Sequence, residues 1–390
     1  MKLNYKSLLF LFLAFAMVGM FSACSKEDDL PNDGKPVIQY IRITRPDASD
    51  SLIVKAGQGA MIAIIGQNLQ NAREIWFNDR QGSLSPTFIT NTTIITRVPT
   101  QIPTDITDKL KIVFANGEVL LHDFEVRISK PLLTNLMSEY VNAGDIATIV
   151  GDFFYEHEPI VVTFTGGAQG EVVSVEDNNR LHVRVPEGAE PGPITVKTYF
   201  GQSKSAFWFR DNRNIIAGFE NTDFSGWWHG KDFIKESDAE IEAINGKFMR
   251  INRNLGAWGW FEMWVGEGTI KEDTKNIPAD AFANPAKYSM KFEINTLASL
   301  TGAEIKMYMG NGAVGDRDNG SYTWKPNLNT EGEWQTVSIP FEDILEANNN
   351  DKNKFEYNPN GYVVSFHFSG PLAVNANFGL DNIRVVPTTL

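Results

Sequence analysis

The sequence predicts an all-β chain, with two small sandwiches followed by a larger one. Three observations carry this. From Val37 onward, short apolar runs alternate with turns of Gly, Asn, Asp and Pro, the pattern of many short strands. Helical periodicity is nearly absent; Phe341 to Ala347 is the one stretch read as a short helix. One segment also repeats: Gly66 and Gly151 stand 85 residues apart in matching contexts, a spacing suited to a small sandwich.

The N-terminus reads as a processing signal rather than structure. Lys2 and Lys6 precede an apolar stretch, Leu8 to Phe21, that is too short and too early to be a stable membrane span. It ends at Phe21-Ser22-Ala23-Cys24. This resembles a bacterial lipobox, although Phe21 stands where Leu is usual. The resemblance implies that residues 1–23 are removed and that Cys24 is acylated, anchoring the chain without a spanning helix. Cys24 is the only cysteine, which excludes a disulfide within the chain. The acidic run Lys26-Glu27-Asp28-Asp29 follows. It resembles the signal that sends Bacteroidetes lipoproteins to the outer face of the outer membrane. Pro31, Gly34 and Pro36 mark residues 24–35 as a flexible tether.

In the repeat, Met61-Ile62-Ala63-Ile64-Ile65-Gly66-Gln67-Asn68-Leu69 aligns with Ile146-Ala147-Thr148-Ile149-Val150-Gly151-Asp152-Phe153-Phe154. Gly59 aligns with Gly144, and Thr93 to Pro99 with Arg180 to Pro186, each ending in Val-Pro. At these residues the chain resembles the IPT/TIG immunoglobulin-like fold. The resemblance implies one such domain over 36–128 and a second over 129–211. In bacterial surface proteins domains of this kind serve as spacers, so Trp76 and Trp208 are read as packing residues.

Composition shifts after Asp211. Seven of the nine tryptophans lie beyond it, which divides the chain into two plain sandwiches and a working domain over 212–390. That domain opens with Ile215 to Glu220 and closes with Phe378-Gly379-Leu380-Asp381-Asn382-Ile383-Arg384. Between them runs Glu333-Trp334-Gln335-Thr336-Val337-Ser338-Ile339-Pro340, with Trp334 read as core. Tyr288 to Ile294 and Ala303 to Met309 alternate as half-buried strands should. These segments resemble galactose-binding-like jelly-roll carbohydrate-binding modules. The full architecture resembles the surface glycan-binding lipoproteins of Bacteroidetes polysaccharide-utilisation loci. That resemblance implies cooperation with an outer-membrane glycan importer.

The candidate site is Trp258-Gly259-Trp260-Phe261-Glu262-Met263-Trp264-Val265. Strand alternation puts Phe261, Met263 and Val265 on a core face and Trp258, Trp260, Glu262 and Trp264 on the other. Three indoles beside a carboxylate suit a sugar: pyranose C–H faces lie on the rings and edge hydroxyls seek the acceptor. Trp227 and Trp228, next to His229, and Trp324, after a Gly/Asn/Asp-rich loop, are further candidates. Flat aromatic platforms favour β-linked pyranoses, so a β-glucan or related polysaccharide is the expected ligand.

No cofactor is expected. By resemblance to jelly-roll modules, Glu220 and Asp381 could hold a structural Ca²⁺. Asp316 to Gly320 is read as a turn, because it lacks the spacing and distal Glu of a calcium loop. An enzymatic alternative rests on Glu236, Asp238 and Glu240, which alternation would align on one strand face, as in jelly-roll β-glucanases. The intervening Ser237 and Ala239 are small where that family is bulky, so the chain is read as non-catalytic. A protein-binding adhesin is the third reading. The formal charge of −13 argues against a nucleic-acid partner.

Overall fold

A computed structural model describes residues 34–45, 50–220, 233–265, 272–310, 317–318 and 320–388. The chain divides into two compact units, Met1–Ile128 and Ser129–Leu390. Among the described residues the regular elements of both are mostly strands, so the all-β expectation holds.

In the first unit, Val37–Ile43, Met61–Gln67 and Thr93–Arg97 form a three-stranded sheet. A four-stranded sheet runs in the order Arg80–Gly82, Ala72–Phe77, Lys109–Phe114, Val119–Asp123. Ile62, Ile64, Ile75, Phe77, Ile112 and Phe124 are buried in its core. Gly66 is required by a close approach: a Cβ there would meet the Val37 carbonyl oxygen at 1.9 Å. Gly151 stands in the same relation to Leu132, also at 1.9 Å. In each copy the partner strand carries a bulge beside the glycine. The glycines of the repeat thus mark a structural equivalence between the sandwiches.

The second unit holds the second sandwich and the C-terminal domain. In the sandwich, Gln169–Glu176 pairs with Val161–Thr165 near its start and with Arg180–Arg184 further along, joining the two sheets. The C-terminal domain packs two sheets face to face. The first runs in the order Ile234–Lys235, Phe248–Leu255, Val374–Pro387, Tyr288–Thr296, Trp334–Pro340. The second runs in the order Phe261–Val265, Val363–Ser369, Glu304–Gly310, Tyr322–Trp324. Met290, Phe292 and Ile294 meet Phe261, Ile305, Phe366 and Phe368 in the core between them. The predicted helix is present as Phe341–Asn348.

Tyr288–Thr296 departs from the half-buried expectation, because all nine residues are buried. The reason is a second packing partner. Its polar face (Ser289, Lys291, Glu293, Asn295) is covered, and the second sandwich supplies part of the cover. Ser138 Oγ donates to Glu293 Oε2 at 3.1 Å, and Lys291 Nζ to Glu139 Oε1 at 2.5 Å. Thr336 N donates to the Met137 carbonyl at 2.7 Å, and the Glu139 N–H to Thr336 Oγ1 at 2.7 Å. Two cations, Arg384 and Lys291, face two carboxylates, Glu139 and Glu293, so the buried cluster balances its own charge.

Candidate functional site

One sheet of the C-terminal domain turns its outer face partly to solvent: Thr323 is exposed and His367 and Lys306 are half-buried, whereas Ser365 and Tyr308 on the same face are fully buried. Register assigns every residue on it, because directly paired residues of antiparallel strands share a face. Phe261, Phe368, Ile305 and Trp324 form one row, and Met263, Phe366, Met307 and Tyr322 another. These rows face the core. The intervening row is Glu262, His367, Lys306 and Thr323. Four strands at about 4.8 Å spacing make this row about 14 Å wide.

Trp260 stacks on His367, with ring centroids 5.5 Å apart and planes 23° from parallel. It is 43% exposed, so the indole lies as a lid on the imidazole with its rim in solvent. Burial pushes the His367 imidazole down to about 4, and the neighbouring cations Arg317 and Lys306 push the same way. The ring is therefore neutral near pH 7, and its Nδ1 is buried without a hydrogen-bond partner among the described residues.

Glu262 is buried rather than solvated. Its Oε1 accepts from Arg317 Nη1 at 2.5 Å and from Ser365 Oγ. Lys306 Nζ donates to Asp318 Oδ1 at 2.6 Å. Hydrogen bonding and attraction by Lys306 hold the Asp318 carboxyl below its usual range. An aromatic ring thus sits beside a line of alternating charges whose side chains are already oriented. This arrangement can stack a pyranose face and bond its hydroxyls without paying to order the protein.

Residues 209–387 match the family described as surface glycan-binding protein B xyloglucan binding domain. The match covers the C-terminal domain, just under half of the chain. The whole chain is 27% identical over 338 residues to an IPT/TIG domain-containing protein of Bacteroides ovatus, a match covering 80% of this chain and 65% of that one. The chain therefore spans just under two thirds of that relative's length. Among solved structures it is similar to the surface glycan-binding protein PbSGBP-B from Prevotella bryantii. The TM-score is 0.71 at 24% identity, covering 91% of this chain and 99% of that one. It is also similar to SGBP-B from a complex xyloglucan utilization locus in Bacteroides uniformis, with TM-score 0.50, 16% identity, and coverage of 91% and 100%. At these identities the two structures speak for the fold.

Within the C-terminal domain, the tryptophan strip predicted from the sequence is only partly realised. The strand begins at Phe261, so alternation cannot place Trp258 or Trp260. Trp258 sits in the preceding turn at φ 60°, 67% exposed, with its N–H on the Gly370 carbonyl. Trp260 reaches the open face through its stack on His367. Phe261 and Met263 are buried in the core as expected. The backbone of Trp264 pairs with Ser365; its side chain, like Trp227, Trp228 and His229, lies outside the described residues.

Trp324 is corrected. Its register partner is Ile305, a core residue, and its ring packs edge-on against Phe292 at 5.2 Å. It is a half-buried packing residue, and Thr323 beside it takes the open face. Trp334 is half-buried against Phe248, with its indole N–H on the Glu242 carbonyl.

Glu236, Asp238 and Glu240 do not line one strand face either. The strand there stops at Lys235, and Arg250 pairs with both Asp238 (3.1 Å) and Glu240 (2.7 Å). Glu236 is turned to solvent beside Lys247. The three carboxylates therefore do not form the aligned set that the enzymatic alternative assumes.

Sequence reasoning missed His367, Ser365, Arg317 and Lys306. The signal for the first two was present: in Val364-Ser365-Phe366-His367-Phe368, polar and apolar residues alternate strictly.

The calcium expectation finds a partial donor set. Asp381 is fully buried; its Oδ1 accepts the Asn382 N–H at 2.7 Å, while Oδ2 has no partner among the described residues. Burial pushes this carboxyl up, and the nearby charges of Glu293 and Glu220 add to the rise. Glu220 lies beside the turn at Gly246, where it accepts the Lys247 N–H. Asn245 bonds Asn382 at 2.8 Å. Among the described residues no three His, Cys, Asp or Glu side chains gather as a metal set. The two carboxylates, Asp381 and Glu220, offer oxygen ligands of the kind a hard cation takes.

Proposed function

We propose that this chain is a non-catalytic surface protein that captures a neutral β-linked glucan on the open sheet of its C-terminal domain. The observation that carries the reading is the Trp260–His367 stack beside the pre-paired Glu262, on the open face of a domain that matches the surface glycan-binding family. Trp260 supplies the stacking platform. Glu262 and Lys306 supply an acceptor and a donor for equatorial hydroxyls, and the exposed Trp258 extends the surface. Xyloglucan and related β-glucans are the ligand class, in keeping with the family's name. Trp227, Trp228 and Trp264 are assigned to the same ligand on sequence grounds.

The reading also puts a lipid on Cys24 and the protein on the outer face of the outer membrane, working with a glycan importer. The lipobox-like Ala23-Cys24 and the acidic run after it support this. A cation beside Asp381 and Glu220 is part of the proposal and would serve structure rather than capture.

The test is affinity electrophoresis of the purified protein in gels containing xyloglucan, mixed-linkage β-glucan, mannan or an α-glucan, with Trp260→Ala alongside. Retardation by β-glucans that the substitution abolishes is expected. Retardation by none of the four, or retardation indifferent to Trp260, would refute the reading.

A further inference from the structure

The second sandwich carries an aromatic surface that its fold does not need. Phe153, Tyr155 and His157 follow the strand Ile146–Asp152, and Tyr199 and Phe200 form the turn between Glu190–Thr198 and Gly201–Phe209. Their rings make one continuous chain. Centroids are 6.0 Å apart for Phe153–Tyr155, 6.0 Å for Tyr155–Phe200, 5.3 Å for Phe200–Tyr199 and 4.7 Å for Tyr199–His157. Tyr199 is 48% exposed and the other four are half-buried.

The first sandwich serves as an internal control. Asn68 and Phe153 hold the same place in the repeat, and both adopt left-handed backbone, at φ 58° and 63°. Asn tolerates that conformation; a bulky Phe does so at a cost. The neighbouring Leu69 and Phe154 fill the core in their respective copies, so the core does not ask for a ring at 153. The hairpin turn differs in the same way: it is Asn116-Gly117 in the first copy and Tyr199-Phe200 in the second. Two equivalent loops have exchanged polar turn residues for partly exposed rings, one of them under backbone strain. A contiguous aromatic surface gained at such a cost marks a binding surface.

We propose that this cluster is a second contact for the same neutral polysaccharide, an inference that rests on the glucan-capture reading. Asp152, Glu156 and Glu158 border the rings, which disfavours an anionic ligand and offers acceptors to hydroxyls. The joint formed by Ser138, Glu139 and Thr336 ties this sandwich to the C-terminal domain, so the two surfaces sit at a fixed separation. A long chain can engage both, whereas a short oligosaccharide engages only the Trp260 face. The second contact then acts at high effective concentration.

The experiment titrates the purified protein calorimetrically with a long β-glucan and with a short oligosaccharide of the same linkage. The variants are Tyr199→Ala/Phe200→Ala and Phe153→Asn, the latter restoring the first copy's residue and relieving the strained position. Each is expected to weaken polysaccharide binding by about tenfold or more, toward the range of tethered contacts, and to leave oligosaccharide binding unchanged. Wild-type affinity for the polysaccharide in both variants would overturn the proposal while leaving capture at Trp260 standing. Loss of binding to both ligands would equally overturn it, since a separate contact cannot affect the Trp260 face. If the wild-type protein binds neither ligand, the capture reading fails first and this inference falls with it.

Discussion

Arg384 Nη2 lies 2.6 Å from Glu139 Oε2, joining residues 245 apart in sequence across the seam between the second sandwich and the C-terminal domain. Neither side chain reaches solvent, and Arg384 makes a second bond, at 2.8 Å, to Glu293. Burial works against the guanidinium charge, but the two carboxylates outweigh it and hold the arginine firmly protonated. Removing one partner of a buried pair strands the other, which costs about 3–5 kcal/mol. Arg384→Met is therefore expected to lower unfolding free energy by that order in guanidinium titrations. Glu139→Gln should act more mildly and split the unfolding of residues 129–390 into two transitions. A single unshifted transition in both variants would mean that apolar packing alone holds the seam.

The Glu262–Arg317 pair invites a double-mutant cycle. Both are largely buried, and Glu262 also accepts from Ser365. Glu262→Gln keeps an acceptor but strands Arg317; hydrogen bonds to charged groups are worth about 1.5–3 kcal/mol. Glucan affinity should fall by about tenfold or more, and Arg317→Met should cost little further once Glu262 is gone. Additive losses measured by calorimetry would show that the two residues act independently.

The architecture was legible because the repeat and strand alternation are local signals. Gly66 and Gly151 sit where a Cβ would strike a neighbouring carbonyl, and the sequence shows both. The site was legible only in part. Alternation identifies Phe261 and Met263 as core, but it does not reach back to Trp258, whose left-handed backbone ends the pattern. Trp324 reads as a loop residue until its pairing with Ile305 is known. The buried polar face of Tyr288–Thr296 depends on a domain that precedes it by more than a hundred residues, so no local window reveals it.

The His367 ring gives a pH dependence of definite sign. Its folded-state pKa, near 4, lies below the ordinary value of 6.5. Below pH 6.5 the unfolded chain takes up a proton that the folded chain refuses. The stability tied to neutral His367 is thus full above about pH 6.5 and lost as pH falls toward 4. Allowing for partial exposure, the loss is on the order of 1–2 kcal/mol. Glucan affinity should hold from pH 8 to 5 and drop near 4, when an imidazolium must share its surroundings with Arg317 and Lys306. His367→Gln should flatten this part of the melting-temperature profile; an unchanged acid limb in the variant would assign it to other groups.

Asp381 poses a choice that calcium removal decides. A fully buried carboxylate with one unsatisfied oxygen, near Glu220 and Glu293, must be neutralised by a cation or by a proton. The carboxylate oxygens of Asp381 and of the nearby Glu220 are of the kind that suits a hard cation. A ligand that binds only the folded state stabilises it by about 2.7 kcal/mol at a hundredfold excess over its dissociation constant. Chelation should therefore lower the melting temperature of the wild-type protein, and excess Ca²⁺ should restore it. Asp381→Asn should remove the response while keeping a similar shape. Because Asp381 lies on the sheet away from the Trp260 face, glucan affinity of the folded protein should be the same with and without the cation. A melting temperature indifferent to chelator and to added Ca²⁺ would assign the charge balance at Asp381 to a proton, and the Ca²⁺ expectation would be withdrawn.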